Sequence, residues 1–182
     1  MMLPGRFTEL KGHILFLSAL EKIKHLSWTA IFVGDENEKP EYAALLKKET
    51  LKRGLSGRVV FAGHCNDMPA AFMVSDITVS ASIHPESFGR VAVESQAMGI
   101  PVVATALGGS LETIIPKKTG WLFPHTDIDA FAKVLSEAVV DQKKRQSMGQ
   151  QAKVWVGKNF TTELMCEETL LLYEKLVAAL RK

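Results

Sequence analysis

Two basic side chains stand close together near the start of the chain, in the segment Gly5–Gly12. Gly5 lets a ligand approach the backbone. Arg6 and Lys11 flank the loop that opens the first predicted helix. A guanidinium fork and an ammonium group beside a helix N-terminus suit a diphosphate. Taken alone, the pattern favours the simpler interpretation, a pair of solvated surface cations.

Two glutamates lie in a second segment of the same kind, Ser82–Glu94, in which a strand leads through a Pro-bounded loop and Gly89 into a helix. The backbone N–H groups of residues 87–91 lack helical partners there, so an anion or sugar hydroxyls could bind them. Glu86 lies in the loop and Glu94 about one turn into the helix. The competing interpretations are a helix-dipole partner for Glu86 and a structural ion pair for Glu94.

A third strand-to-helix turn, Thr105–Glu112, contains Gly108 and Gly109. Two glycines allow the backbone to pass close to a ligand, and Ser110 is predicted to cap the following helix. A tight turn without a ligand explains the segment equally well.

Short β-like runs alternate with amphipathic helical stretches, which indicates βαβ units and a parallel sheet. Pro40 is placed for a first helical turn and Gly54 for a helix stop. The predicted strands are a first one ending near Leu3, then Thr29–Val33, Arg58–Ala62, Ile77–Ser80, Pro101–Ala104 and a short edge strand Gly120–Phe123. The predicted helices are Lys11–Lys24, one from Pro40 to Gly54, Met68–Val74, Val91–Met98, Ser110–Ile115, Asp129–Val140, Lys143–Val156 and Thr162–Leu180.

The fold class is therefore α/β, a Rossmann-like doubly wound parallel sheet with extra C-terminal helices. Such sheets bind ligands beyond the carboxyl ends of their strands, where all three segments lie. The net charge of +2 does not call for nucleic acid as a partner. No apolar run approaches the roughly 18 residues of a membrane span. Cys65 and Cys166 lack metal-ligand spacing, which indicates free thiols in a reducing cytosol.

In this order, the three segments resemble the C-terminal half of glycosyltransferase family 4, which contains retaining enzymes of the GT-B architecture. Glu86 and Glu94, separated by seven residues, match that family's paired-glutamate motif. The match runs from Pro4 to about Pro124 and more loosely through the last helices. The residues that carry it are Gly5-Arg6, Lys11-Gly12, Ile31–Asp35, Arg58-Val59, Phe61, Gly63, Asp67-Met68, Asp76, Ser82, Glu86–Gly89, Glu94, Ala97–Gly99, Pro101–Val103, Gly108-Gly109, Glu112 and Thr119–Leu122.

The resemblance implies a nucleoside diphosphate sugar of the UDP, GDP or ADP type as donor, with no metal or other cofactor. Arg6 and Lys11 would neutralise the diphosphate, Glu94 would bind the ribose, and Glu86 would bind the transferred sugar. Glu86, Arg6 and Lys11 are the expected catalytic residues. The other expected donor-binding residues are Ser87, Phe88, Gly89, Arg90, Val91, Gly108 and Gly109.

The resemblance also implies an organisation. Residues 1–160 would form the donor domain, and residues 161–182 a helix that crosses to an N-terminal acceptor domain. The abrupt start at Met1–Gly5 favours a chain cut from a longer protein, inactive by itself. The whole enzyme is expected in the cytoplasm, in envelope polysaccharide or glycolipid synthesis, with peripheral membrane association possible through the N-terminal domain.

Two alternatives remain: a nucleotide-sugar epimerase of the same fold and a non-catalytic nucleotide-binding fragment. Generic dinucleotide binding is disfavoured because the chain contains neither a Gly-x-Gly-x-x-Gly fingerprint nor a P-loop. Loop or surface positions are expected for His13, His64 and His84. The three tryptophans are expected to pack in the protein rather than to bind sugar.

Overall fold

The structure is a computed structural model, and it describes residues 1–180. Six parallel strands form one sheet, in the order β3-β2-β1-β4-β5-β6. The strands are β1 (Met2–Pro4), β2 (Ala30–Val33), β3 (Val59–Gly63), β4 (Thr78–Ser80), β5 (Val102–Thr105) and β6 (Gly120–Phe123). The predicted fold class is confirmed, and β6 lies at the predicted edge.

In the described part of the chain, eight α-helices connect or follow the strands. They are α1 (His13–Lys22), α2 (Pro40–Lys52), α3 (Met68–Met73), α4 (Arg90–Ala97), α5 (Ser110–Thr113), α6 (Ile128–Val140), α7 (Gln142–Asn159) and α8 (Thr162–Leu180). Aspartate side chains accept a hydrogen bond from a first-turn backbone N–H of α3, α6 and α7, which fixes where these helices begin. Pro40 opens α2, and the left-handed Gly54 follows its end, both as predicted.

Both faces of the sheet are buried, as a parallel sheet requires. Along β5, Val103 packs into the large core with α1, α2 and α6. Val102 and Ala104 point to the opposite face, where they pack with Ala92 of α4. Helix α7 packs so closely on the turn after α4 that a Cβ on Gly149 would lie 1.9 Å from the carbonyl oxygen of Gly99.

Two local predictions at helix starts were wrong. The first helix does not begin at Lys11, because a 3-10 turn over Glu9–Lys11 ends at Gly12, whose left-handed φ of 69° starts α1 at His13. Ser110 does not cap α5: it is the first helical residue, and its hydroxyl donates to the carbonyl oxygens of Thr105 and Leu107 in the preceding loop.

Helix α8 is exposed over most of its length. No residue between Thr162 and Leu180 is buried. Its large apolar side chains are exposed, among them Leu172 (54%) and Leu176 (53%). Within residues 1–180, no helix is long and apolar enough to cross a membrane.

Candidate functional site

The strand order reverses between β1 and β4, and the loops after these two neighbouring strands carry the predicted site. In doubly wound sheets the crevice opens where the strand order reverses. Arg6 and Lys11 follow β1, and Glu86 follows β4. The third loop, with Gly108 and Gly109, follows β5, the next strand along. The topology therefore brings the three sequence segments to one end of the sheet.

The loop after β1 is shaped by its two glycines. Gly5 has a φ of 155°, and a Cβ there would lie 3.3 Å from Cγ of Lys11, so the lysine stem packs across it. Gly12 has no room for a side chain, because its Cβ would lie 1.9 Å from the carbonyl oxygen of Ala81 beyond β4. These contacts fix the β1 loop against the β4 loop.

Lys11 and Glu86 form a direct ion pair across these two loops. Nζ of Lys11 lies 2.5 Å from Oε1 of Glu86, and each side chain is about one quarter exposed (25% and 24%). Ser82 donates a hydrogen bond to the same oxygen. Burial raises the pKa of Glu86, but the hydrogen bonds from Lys11 and Ser82 and the lysine charge outweigh it. The pKa therefore lies below its ordinary value, and Glu86 is a carboxylate at neutral pH.

The two glycines after β5 hold the glutamate loop by its backbone. A Cβ on Gly108 would lie 2.5 Å from the carbonyl oxygen of Glu86, and one on Gly109 would lie 2.4 Å from that of Phe88. The N–H of Gly109 donates to the carbonyl oxygen of Glu86 over 2.8 Å. Glycine is therefore required at both positions, because the two loops touch through main-chain atoms.

Arg6 and Glu94 line one cleft of about 390 Å³. Arg6 itself is held loosely: its guanidinium lies 3.8 Å from the carboxylate of Glu38, and 69% of its side chain is exposed. Exposed ion pairs of this kind contribute little, so Arg6 is free to meet an anionic ligand. The other residues that line the cleft are Pro4, Gly5, Val33, Gly34, Asp35, Glu38, His64, Cys65, Met68 and Val91.

A second, narrow hollow is lined by Glu86 and Gly89 together with Ser82 and residues of the β5 loop. Lys11 lines neither cavity, but it reaches Glu86 over Gly5, a cleft residue. The structure thus pairs Lys11 with Glu86 and places Arg6 in the cleft that Glu94 lines. Among residues 1–180, the cleft and the hollow share no lining residue. Ser87, Phe88 and Arg90 lie on the exposed surface of the same loop and helix start.

These cavities lie on a fold that is shared with known proteins. The family model described as "Glycosyl transferases group 1" matches residues 1–155. The chain belongs to this family.

The group 1 domain is similar to proteins of the GT-B architecture. A glycosyltransferase structure from Rickettsia africae superposes with a TM-score of 0.91 at 31% identity, over 97% of this chain and 47% of that one. HepE from Anabaena, in complex with UDP and glucose, gives 0.84 at 26%, over 95% and 48%. A lipopolysaccharide core biosynthesis mannosyltransferase from Rhizobium leguminosarum is 28% identical over 95% of this chain and 50% of its own length. The chain spans half or less of each curated relative compared with it.

The predicted loop or surface position is wrong for one histidine of the group 1 domain. His13 is fully buried, at the start of α1, and its ring packs edge-on against Phe7, Phe32 and Tyr42. His64 and His84 are exposed, as predicted. Trp28 and Trp121 are buried in the core and Trp155 is half-buried, so the packing prediction is confirmed.

The cleft also contains residues that were not predicted. Asp35, His64 and Cys65 line it from the loops after β2 and β3. The available signal was their place directly after strands, at the same end of the sheet. Among residues 1–180, no group of three or more His, Cys, Asp or Glu side chains is placed to hold a metal ion.

Proposed function

We propose that this chain is the donor-binding half of a retaining glycosyltransferase of family 4. It would bind a nucleoside diphosphate sugar, and the whole enzyme would move that sugar to an acceptor hydroxyl. The observation that carries the proposal is the charge arrangement at the β1–β4 switch point. There Lys11 contacts Glu86 and Arg6 faces the cleft that Glu94 lines.

In this proposal the β1 loop binds the diphosphate. Arg6 and Lys11 neutralise its charge in the ground state and as it leaves, and such preorganised electrostatic stabilisation lowers the barrier to transfer. No metal is needed for this role, because two protein cations supply the positive charge.

The sugars lie on either side of the diphosphate. Glu94, in the cleft with Asp35 and His64, accepts hydrogen bonds from the ribose hydroxyls. Glu86, in the narrower hollow with Gly89, accepts hydrogen bonds from hydroxyls of the transferred sugar. The backbone of residues 87–91, backed by Gly108 and Gly109, completes that side.

The whole enzyme would have a second half that binds the acceptor. In this proposal residues 1–160 are the donor domain, and the helix within residues 161–182 crosses to an N-terminal domain. Support comes from the exposed apolar side chains of α8 and from relatives about twice as long as this chain. Roles in envelope polysaccharide or glycolipid synthesis in the cytoplasm are proposed from relatives such as the lipopolysaccharide mannosyltransferase.

Calorimetry on this chain tests the proposal. UDP, GDP and ADP, each alone and as UDP-glucose, GDP-mannose and ADP-glucose, are titrated into the protein. We expect the ligands of one of the three nucleotides to bind. Arg6→Ala and Lys11→Ala should each bind them about tenfold to hundredfold more weakly, since each variant loses a charge-assisted hydrogen bond. Lys48→Ala, which removes an equal charge from the exposed side of α2, is the matched control. If neither site variant weakens binding, the assigned site is wrong.

A further inference from the structure

A row of three aromatic rings lies behind the loop that carries Glu86. Phe88 and Phe160 pack edge to face with ring centres 5.7 Å apart, and Phe160 packs in the same way on Trp155 at 5.8 Å. Trp155 belongs to α7, and Phe160 directly follows that helix, before α8 begins. The row therefore joins the loop to the junction of the last two helices.

The far end of the row is anchored to the domain by hydrogen bonds. The indole N–H of Trp155 donates to the carbonyl oxygen of Thr113 over 3.1 Å. The same oxygen accepts a bond of 3.0 Å from the amide of Gln96, which is fully buried in α4. Trp155 is thus fixed to α5 and α4, the helices that begin at the two glycine-containing loops of the site.

The near end of the row is the partly exposed side chain of Phe88. The Phe88 side chain is 43% exposed, and within residues 1–180 its ring pairs with no aromatic ring except that of Phe160. Its main chain rests on Gly109, which has no side chain to hold it. Besides the main-chain contact with Gly109, the Phe88–Gly89 backbone is therefore supported by the Phe160 ring through the Phe88 side chain.

We propose that Phe160 and Trp155 are positioning residues for the transferred sugar. Through Phe88 they hold the backbone at Phe88–Gly89 at the depth that a hexose on the diphosphate requires. This inference rests on the proposed function. It concerns the hexose and not the nucleoside diphosphate, because within residues 1–180 Arg6, Lys11 and Glu94 make no hydrogen bond or cation–π pair with the three rings.

Hydrogen exchange without any ligand tests the structural part. In Phe160→Ala we expect the amides of residues 86–91 to exchange several-fold faster than in the wild type. Phe160→Tyr keeps the ring and should restore slow exchange. Tyr173→Ala, which removes an exposed ring from α8, is the matched control and should change nothing in this loop. Unchanged exchange in Phe160→Ala would overturn the inference.

Calorimetry tests the functional part, with the nucleotide that the wild type binds. Phe160→Ala should bind the nucleotide sugar about fivefold more weakly and the nucleoside diphosphate within about twofold of the wild type. Trp155→Phe, which keeps a ring but loses the hydrogen bond to Thr113, should show a smaller change of the same kind. Equal loss for both ligands, or loss for neither, contradicts the positioning role. A wild type that binds none of the probes refutes the proposed function, whatever the exchange data show.

Discussion

The buried imidazole of His13 should couple folding to pH, and replacing it by leucine should weaken this coupling. The side chain is fully buried, and within residues 1–180 neither ring nitrogen has a hydrogen-bond partner. Burial among Phe7, Phe32 and Tyr42 lowers the pKa of His13 to about 4; a carbonyl of Thr8 opposes the shift, and the charge of Lys11 adds to it. The position at the start of α1 also disfavours a cation there.

The sign follows from proton binding in the two states. The unfolded chain binds a proton at His13 near the ordinary pKa of 6.5, and the folded chain binds it only near pH 4. The part of the free energy of unfolding that is linked to His13 is therefore fully present above pH 6.5 and is lost as the pH falls towards 4. At about 1.4 kcal/mol per pH unit, the loss that His13 causes between neutral pH and pH 5 is about 2 kcal/mol.

Urea denaturation of the wild type and His13→Leu, at about pH 7.5 and about pH 5, measures this pH-dependent loss of stability. We expect the wild type to lose about 2 kcal/mol more than the variant between the two conditions. At the higher pH the variant should be at least as stable, because it no longer buries two unpaired nitrogens. His25→Leu removes an exposed imidazole and should behave as the wild type does. If the wild type and His13→Leu lose the same stability on acidification, the buried imidazole does not couple folding to pH.

Two further predictions concern the loops of the site. In a denaturant titration, Gly12→Ala should lower the free energy of unfolding by at least about 3 kcal/mol more than Gly54→Ala does. Both positions have a left-handed φ (69° and 66°), but of the two only Gly12 faces a main-chain oxygen, that of Ala81. Equal losses in the two variants would show that the clash is relieved. Glu86→Gln should cost about 1 kcal/mol at neutral pH, because Lys11 loses its ionised partner. Since the pKa of Glu86 is lowered from 4.5, this stabilisation is present above that value and is lost as the pH falls below it. The free energies of unfolding of the wild type and Glu86→Gln should therefore converge in acid. A difference between them that persists in acid would contradict the ion-pair assignment.

The sequence predicted the fold well, because each strand is a short apolar run followed by a turn residue and an amphipathic helix. The Gly120–Phe123 strand and the Thr162–Leu180 helix have the predicted bounds. His13 shows what local patterns miss. Beside Lys11 and Gly12 it looks like part of a polar turn, but the left-handed Gly12 restarts the helix and turns the imidazole into the core.

The site was predictable to the level of loops but not of contacts. Parallel topology brings the ends of β1, β4 and β5 together, so the three sequence segments had to share one end of the sheet. Whether Lys11 would face solvent or Glu86 depends on where the lysine stem passes over Gly5. No spacing along the chain specifies such a path between residues 75 positions apart.

The Lys11–Glu86 contact has a consequence for selectivity under the proposed function. In this structure each of these charges is satisfied by the other, with Ser82 as a second donor to the carboxylate. A diphosphate that recruits Lys11 takes away one of the two groups that stabilise the Glu86 carboxylate. A partly buried carboxylate that loses a donor is costly unless another donor replaces it. Hydroxyls of the transferred sugar can supply that replacement and a bare nucleoside diphosphate cannot, so the ion pair itself favours the complete donor over the product that remains after transfer.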